Sequence, residues 1–339
     1  MKLYCGVDLH SNNAVYAIIN DESKRIFKKR IENNLEKVLA TLDPFKKNLE
    51  SLAVESTYNW YWLVDGLQAN NFPVHLANPA AIDQYDGLKD ANDTTDAFFL
   101  AELQRLGILK EGYIYPKETR PVRDLLRRRM LLVHHRTSIM LSMESLLCRE
   151  TGRQFGWRQV CRLSEEDLTD LLHNDETLLF TAHHEMSVVR YLTNKIELFE
   201  KEIMGHVNLR PEYELLLTIP GIGIILGLTI MLEVGDINRF NKVGNFTSYC
   251  RCARAKHTSN GKKKSDNNRK NGNRYLSWAM VEAAHHAIRC CEPAHKFYQR
   301  KMAKTNGSVA TKSLASKWSK AAYYVLKNQE PFNMERVFG

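Results

Sequence analysis

The first 110 residues alternate between strand-like apolar runs and helical spacing in the order β-β-β-α-β-α-β-α. This order constrains the fold more than any other feature, because it demands a mixed sheet covered by helices. Leu3–Leu9 is a short apolar run, residues 14–19 are another, and residues 25–31 alternate in the manner of an edge strand. Residues 35–47 have helical spacing that Pro44 breaks or kinks. Residues 51–55 read as a buried strand, 58–70 as a helix, 73–77 as a strand and 94–106 as a helix. Residues 1–110 are therefore expected to form one α/β domain.

The remainder reads as helical. Residues 120–150 and 176–207 carry Leu, Met and Val at helical spacing around a Gly/Arg-rich middle. A helical hairpin or coiled-coil arm over residues 111–207 follows, with the apolar residues as core or partner-helix contacts. Residues 208–339 form a third, mostly α region. In it, residues 215–219 and 224–232 flank Pro220-Gly221-Ile222-Gly223. A short helix over 246–250, a polar loop over 257–272 and amphipathic helices over 273–290 and 309–328 follow.

Residues 215–232 form an uncharged stretch long enough to be weighed as a membrane span. Pro220, Gly221, Gly223 and Gly227 interrupt it, and Glu214 and Glu233 flank it, so two short helices joined by a tight turn are expected instead. Asp8 interrupts the N-terminal apolar run too early for a secretory signal. The seven cysteines lack the spacing of a disulfide framework. Cys250-x-Cys252 with Cys290-Cys291 could supply four thiolates, but zinc sites favour wider pairs, and reduced thiols in a cytoplasmic protein are the default. No membrane partner is expected.

The net charge is +9, yet residues 1–110 carry −3, residues 111–250 carry −2 and residues 251–339 carry +14. A basic block of this kind suits a polyanion, most often nucleic acid, or forms a solvated charged face. Its densest part is residues 251–275, with Arg251, Arg254, Lys256, Lys262, Lys263, Lys264, Arg269, Lys270 and Arg274 against the single acid Asp266. Residues 298–327 add seven more Lys and Arg with no acid, interleaved with Trp318, Tyr323 and Tyr324. Such aromatics stack on unpaired bases or simply pack a core.

Acids punctuate the first domain differently. Asp8 ends the first strand, Glu55 ends a central-looking strand, and Asp93 and Asp96 stand at i and i+3 at the start of a helix. Parallel central strands end near one another, which would bring Asp8 and Glu55 together. Four gathered carboxylates repel unless divalent metal neutralises them, and Mg²⁺ with phosphate oxygens is the natural reading. The competing reading is helix capping, with Asp93 as an N-cap.

The segments Gly6-Val7-Asp8-Leu9-His10-Ser11, Ala53-Val54-Glu55-Ser56-Thr57 and Asp93-Thr94-Thr95-Asp96-Ala97 occur in this order. They resemble the N-terminal domain of bacterial DEDD insertion-sequence transposases, the one-ten/eleven-eleven family of bridge-RNA-guided serine recombinases. The resemblance implies a RuvC-like domain of RNase H fold with its four acids at Asp8, Glu55, Asp93 and Asp96. Asn92 stands where the family often has Thr, and Asp90 competes for the third position. The resemblance continues through Leu216-Leu217-Thr218-Ile219-Pro220-Gly221-Ile222-Gly223, which implies a helix-hairpin-helix, and through Glu233-Val234-Gly235-Asp236-Ile237-Asn238-Arg239-Phe240. The family's following Gly-Leu-x-Pro is replaced by Cys252-Ala253-Arg254-Ala255. His257-Thr258-Ser259-Asn260-Gly261-Lys262 and Asn271-Gly272-Asn273-Arg274-Tyr275-Leu276 then make Ser259 the counterpart of the family's serine nucleophile, with Ser265 and Thr258 as rivals.

The resemblance implies a transposase that cuts and rejoins double-stranded DNA at element ends and target. It implies guidance by a structured noncoding RNA, Mg²⁺ at the acids, and a homo-oligomer, dimer or tetramer, joined through the helical arm. It places the protein in the bacterial cytoplasm, at the nucleoid. Serine attack on a phosphodiester is coherent with the basic loop, because Lys and Arg would stabilise the charge developing on phosphorane oxygens. His257 is a candidate base or phosphate contact. A RuvC-like junction nuclease without a covalent step remains the principal alternative. A binding protein on a degenerate nuclease fold and an actin-like sugar kinase are weaker ones.

Overall fold

In the computed structural model the chain divides into two compact units, Met1–Lys117 and Glu118–Gly339. The structure describes residues 1–79, 82, 92–173, 175–206, 211–253, 257–259, 262–265 and 271–339.

The first unit has the expected order of elements. Strands β1 (Leu3–Leu9), β2 (Asn13–Asn20) and β3 (Arg25–Glu32) precede helix α1 (Leu35–Leu42). Strand β4 (Leu49–Glu55), helix α2 (Tyr61–Ala69), strand β5 (Val74–Ala77) and helix α3 (Asp93–Arg105) follow. Pro44 ends α1 as expected, and the chain continues as a 3-10 turn over Asp43–Asn48. The sheet order is β3-β2-β1-β4-β5. β1 is antiparallel to β2 and parallel to β4, and β4 is parallel to β5. β3 is the edge, and its mostly exposed pattern explains its alternation in sequence.

One face of this sheet packs on α1 and α2 through Val7, Leu9, Val54, Leu63 and Leu67, all buried. The other face packs on α3 through Val15, Ala17, Ala97 and Ala101. The fit of α3 on β1 is very close at Gly6. A Cβ there would lie 1.9 Å from the Ala97 carbonyl oxygen and 2.7 Å from the Ala101 nitrogen. Only glycine lets the helix backbone approach the strand this far.

The second unit is helical, and it contains the helices expected both for an arm and for a C-terminal region. Helix α4 (Arg120–Thr151), short helices α5 (Trp157–Val160) and α6 (Glu165–Leu171), and helix α7 (Glu176–His206) come first. α4 and α7 run antiparallel, because Arg129 meets Glu200, Arg136 meets Thr193 and Ser142 meets Glu185. Met140, Met143, Leu147, Ala182 and Met186 fill the seam. Helices α8 (Pro211–Leu217), α9 (Ile224–Val234) and α10 (Val243–Tyr249) follow. The uncharged stretch is thus two helices around a turn, and no helix among the described residues is long and apolar enough to cross a membrane. In that turn Gly221 has φ +86°, and a Cβ on it would meet the Ala283 carbonyl at 2.4 Å. Trp318 donates its Nε1 hydrogen to the Pro220 carbonyl at 2.7 Å. Gly221 is therefore spent on packing rather than left open.

Where the sequence reads as one polar loop after residue 256, the structure has a two-stranded ribbon. β6 (His257–Ser259) pairs antiparallel with β7 (Lys262–Ser265), Ser259 opposite Lys262. Asn260 and Gly261 between the strands lie outside the described residues, and the density of Lys and Asn hides the strands in sequence. Helices α11 (Arg274–Cys290), α12 (Glu292–Met302), α13 (Gly307–Asn328) and α14 (Met334–Phe338) close the unit.

The basic stretch from 298 to 327 is split between α12 and α13. Its aromatics are mostly core. Trp318 and Tyr323 are buried, the Tyr323 hydroxyl donating to the Phe240 carbonyl, and only Tyr324 is exposed. Base stacking by Trp318 and Tyr323 is thereby excluded. All seven cysteines are free thiols, and the four of the imagined thiolate set do not form a metal-holding group among the described residues.

Replacing Gly6 by alanine is expected to push α3 off β1, at a cost of about 3 kcal/mol. A lowered midpoint in urea unfolding would register it.

Candidate active site

The register Val7↔Val54 across the parallel pair puts Asp8 beside Glu55 at the carboxyl ends of β1 and β4. From the other side, the close contact at Gly6 brings the first turn of α3 over the same sheet end. That turn carries Asp93 and Asp96, and its N-cap is Asn92, whose Oδ1 accepts from the Thr94 and Thr95 amides. Asp93 is therefore not the helix cap. Asn92 takes that task and leaves both acids free to face inward. Asp8, Glu55, Asp93 and Asp96 line one open cavity of about 280 Å³, with Thr57 and Phe99 on its walls. The rival Asp90 lies outside the described residues.

Electrostatics distinguish the four acids. Asp8 is buried, and burial raises its pKa. Burial also raises Glu55, to about 7, helped by a hydrogen bond with Asp8 and by the Asp8 and Asp96 charges. Asp96 is raised by burial and by Asp93. Asp93 alone is lowered, chiefly by its hydrogen bond with Arg30 at 2.5 Å. Arg30 comes from edge strand β3 and also donates to Asn13 Oδ1.

Sequence reasoning missed His10. Its Nε2 is enclosed without a well-formed hydrogen bond and lies 3.2 Å from both Asp8 Oδ2 and Asp93 Oδ2. Asp8, His10 and Asp93 each offer a ligand atom, and these atoms all lie within 4.8 Å of one another. Three carboxylates whose pKa values desolvation raises, beside Asp93, and an enclosed nitrogen between two carboxylates make a donor set that fits a divalent cation. The signal for His10 was its place two residues after Asp8, where β1 ends.

In the second unit, Ser259 stands on β6 and Lys262, Lys263 and Lys264 on β7. Arg254, Lys256, Arg269 and Lys270 lie outside the described residues. Both ends of this basic segment are tied at one place. The Asn273 amide donates to the Tyr249 carbonyl at 2.7 Å, and its Oδ1 caps α11 through the Tyr275 and Leu276 amides. Arg251 Nη2 donates to the Gly272 carbonyl at 3.0 Å. Gly272 has φ +88°, and a Cβ there would lie 2.6 Å from the Tyr249 carbonyl oxygen. Arg274 reaches the hydroxyl of Tyr275.

Asn273 Nδ2 then donates to Glu233 Oε2 at 2.7 Å. Glu233 is buried on α9 and also accepts from Arg123 at 2.9 Å and from Arg127 at 2.5 Å. Burial opposes its ionisation, but Arg127, Arg123 and Asn273 outweigh it and hold its pKa below the ordinary value. The matched Glu233 and Asn273 thus have a structural task, joining α4 and α9 to the ends of the serine segment.

Residues 5–150 match a family model for DEDD transposases. Residues 213–299 match the model described as "Transposase IS116/IS110/IS902 family". The transposase for insertion sequence element IS1111A of Coxiella burnetii (strain RSA 493 / Nine Mile phase I) is 23% identical over 290 residues, spanning 84% of this chain and 77% of that protein. The first match contains all four acids and His10. The second contains Glu233, Ser259 and Asn273.

Two outcomes follow for the metal-free protein. Folded Glu55 keeps its proton up to about pH 7, whereas an unfolded glutamate releases it near pH ~4.3. Stability should therefore fall as pH rises between these values and level off above them. Thermal melts in chelator should show the fall in wild type and a flatter profile in Glu55→Gln. Glu233→Ala should cost about 3 kcal/mol, because it strands Arg123 and Arg127 beside a cavity. Chemical denaturation measures this directly.

Proposed function

Because this chain belongs to the IS116/IS110/IS902 family of insertion-sequence transposases, we propose that it is a DNA recombinase that cuts and rejoins strands at the ends of its element and at a target. The observation that carries this reading is the convergence of Asp8, Glu55, Asp93 and Asp96 on one cavity from β1, β4 and α3. A sheet of order β3-β2-β1-β4-β5 with acids at the ends of β1 and β4 supports an RNase H-like, RuvC-like domain. The α8–turn–α9 pair supports a helix-hairpin-helix, with Gly223 rather than Gly221 as its open glycine.

The acids would hold a divalent cation, Mg²⁺ by resemblance, which supplies Lewis acidity toward a phosphodiester. The protein's own groups do the remainder. Ser259 Oγ attacks the scissile phosphorus. A serine O–P bond forms, the bond to the leaving DNA oxygen breaks, the hydroxyl proton passes to a base, and the leaving oxygen gains a proton. The phosphoserine link retains the ester for rejoining. Lys262, Lys263 and Lys264 offset the charge of the phosphate. Asn273 and Glu233 fix the ends of the segment that carries the serine. The +14 of residues 251–339 supports binding to double-stranded DNA and to a structured guide RNA. Exposed Leu131, Leu141, Phe180, Tyr191 and Leu198 on α4 and α7 support assembly into a dimer or tetramer through these helices.

The test is to incubate the protein with the noncoding RNA flanking its gene, Mg²⁺ and labelled element-end DNA, and to look for protein covalently joined to DNA. Wild type should form the adduct, while Ser259→Ala and Asp8→Asn should not. DNA cut without any adduct, in wild type and Ser259→Ala alike, would establish the junction-nuclease alternative.

A further inference from the structure

The four acids account for the oxygen donors of the first unit, but not for His10. The chain turns from β1 to β2 at this residue, and its backbone is held on both sides. The His10 amide donates to the Asn13 carbonyl at 2.9 Å, and the His10 carbonyl accepts from Asn33 Nδ2 at 3.0 Å and Asn59 Nδ2 at 2.9 Å. The imidazole is thus presented to the cavity from a fixed point rather than from a free loop. Its Nε2 lies 3.2 Å from one oxygen of Asp8 and 3.2 Å from one oxygen of Asp93, each of which has a further partner. Glu55 interacts with Asp8, and Arg30 donates to Asp93. His10 is the group that stands between the buried acid of β1 and the acid of α3.

We infer that His10 is a metal ligand, so that Asp8, His10 and Asp93 form a mixed nitrogen–oxygen site that takes Mn²⁺ in preference to Mg²⁺. The inference rests on the metal-dependent reading above and deepens it by naming the donor set. The chemical reason is ligand character. Mg²⁺ favours an all-oxygen shell and keeps its waters, whereas imidazole nitrogen suits the first-row transition ions. Three donors within 4.8 Å of one another are already gathered for one ion, and small rotations of the side chains would aim them at a shared centre.

The experiment is metal titration of the full-length protein with MnCl₂ and with MgCl₂, by calorimetry and by Mn²⁺ electron paramagnetic resonance with nitrogen hyperfine detection. Wild type, His10→Ala, His10→Asn and Asp8→Asn are compared, each first checked for a cooperative thermal melt. Wild type should bind Mn²⁺ more tightly than Mg²⁺ and show coupling to one histidine nitrogen. Both His10 variants should lose that coupling and at least about tenfold in Mn²⁺ affinity, the scale on which metal sites respond even to lost outer-shell partners. Their Mg²⁺ affinity should change far less. Mn²⁺ bound in an Asp8-dependent manner, with no nitrogen coupling and with unchanged affinity in the His10 variants, overturns the inference and leaves the acid site standing. Loss of Mg²⁺ and Mn²⁺ binding to the same degree in the His10 variants also overturns it, because His10 would then act only by holding the acids in place. Failure of wild type to bind either ion overturns the inference together with the metal-dependent reading.

Discussion

The acidic end of the first unit depends on how near α3 can come to β1. Helices usually lie on a sheet at side-chain distance. Here Gly6 removes the side chain on the strand and Ala97 and Ala101 minimise it on the helix. The helix backbone therefore sits almost on the strand, and its first turn overhangs the ends of β1 and β4. Asp93 and Asp96 reach Asp8 and Glu55 for that reason. Any larger residue at position 6 would lift the whole turn and open the cavity, although no acid had been touched. Packing and chemistry are coupled through one missing Cβ.

Two half- to fully buried glutamates illustrate what decides the state of a carboxylate. Glu55 and Glu233 both suffer desolvation, yet burial prevails at Glu55 and is overruled at Glu233. Glu233 meets two guanidinium groups and an amide, so its charge is satisfied and it joins helices. Glu55 meets Asp8 and the charge of Asp96, so its charge is unsatisfied and the site favours a cation. The first arrangement stabilises a scaffold. The second leaves a desolvated carboxylate among like charges, an environment that a cation can neutralise.

Much of the first unit was legible because strand and helix periods differ, and Pro44 and the edge character of β3 read through directly. The one misreading and the two alternatives that stayed open have specific causes. Asp93 and Asn92 are equally good caps by composition, and only the geometry of the turn decides that Asn92 accepts the two amides. The ribbon of β6 and β7 hid among Lys and Asn, since strand propensity is weak in polar sequence. Trp318 and Tyr323 lie in a basic stretch, but the face of α13 that carries them turns to the core.

The sequence by itself determined which residues could carry chemistry: four spaced acids and a serine in a basic segment. Those are properties of residue type and local spacing, and a chain states them openly. The tertiary structure alone decided which of them meet. It set His10 between Asp8 and Asp93, Arg30 from a sheet edge against Asp93, and Arg123 and Arg127 against Glu233 more than 100 residues away. Such contacts arise from strand register and helix packing, which act over distances that no local pattern encodes.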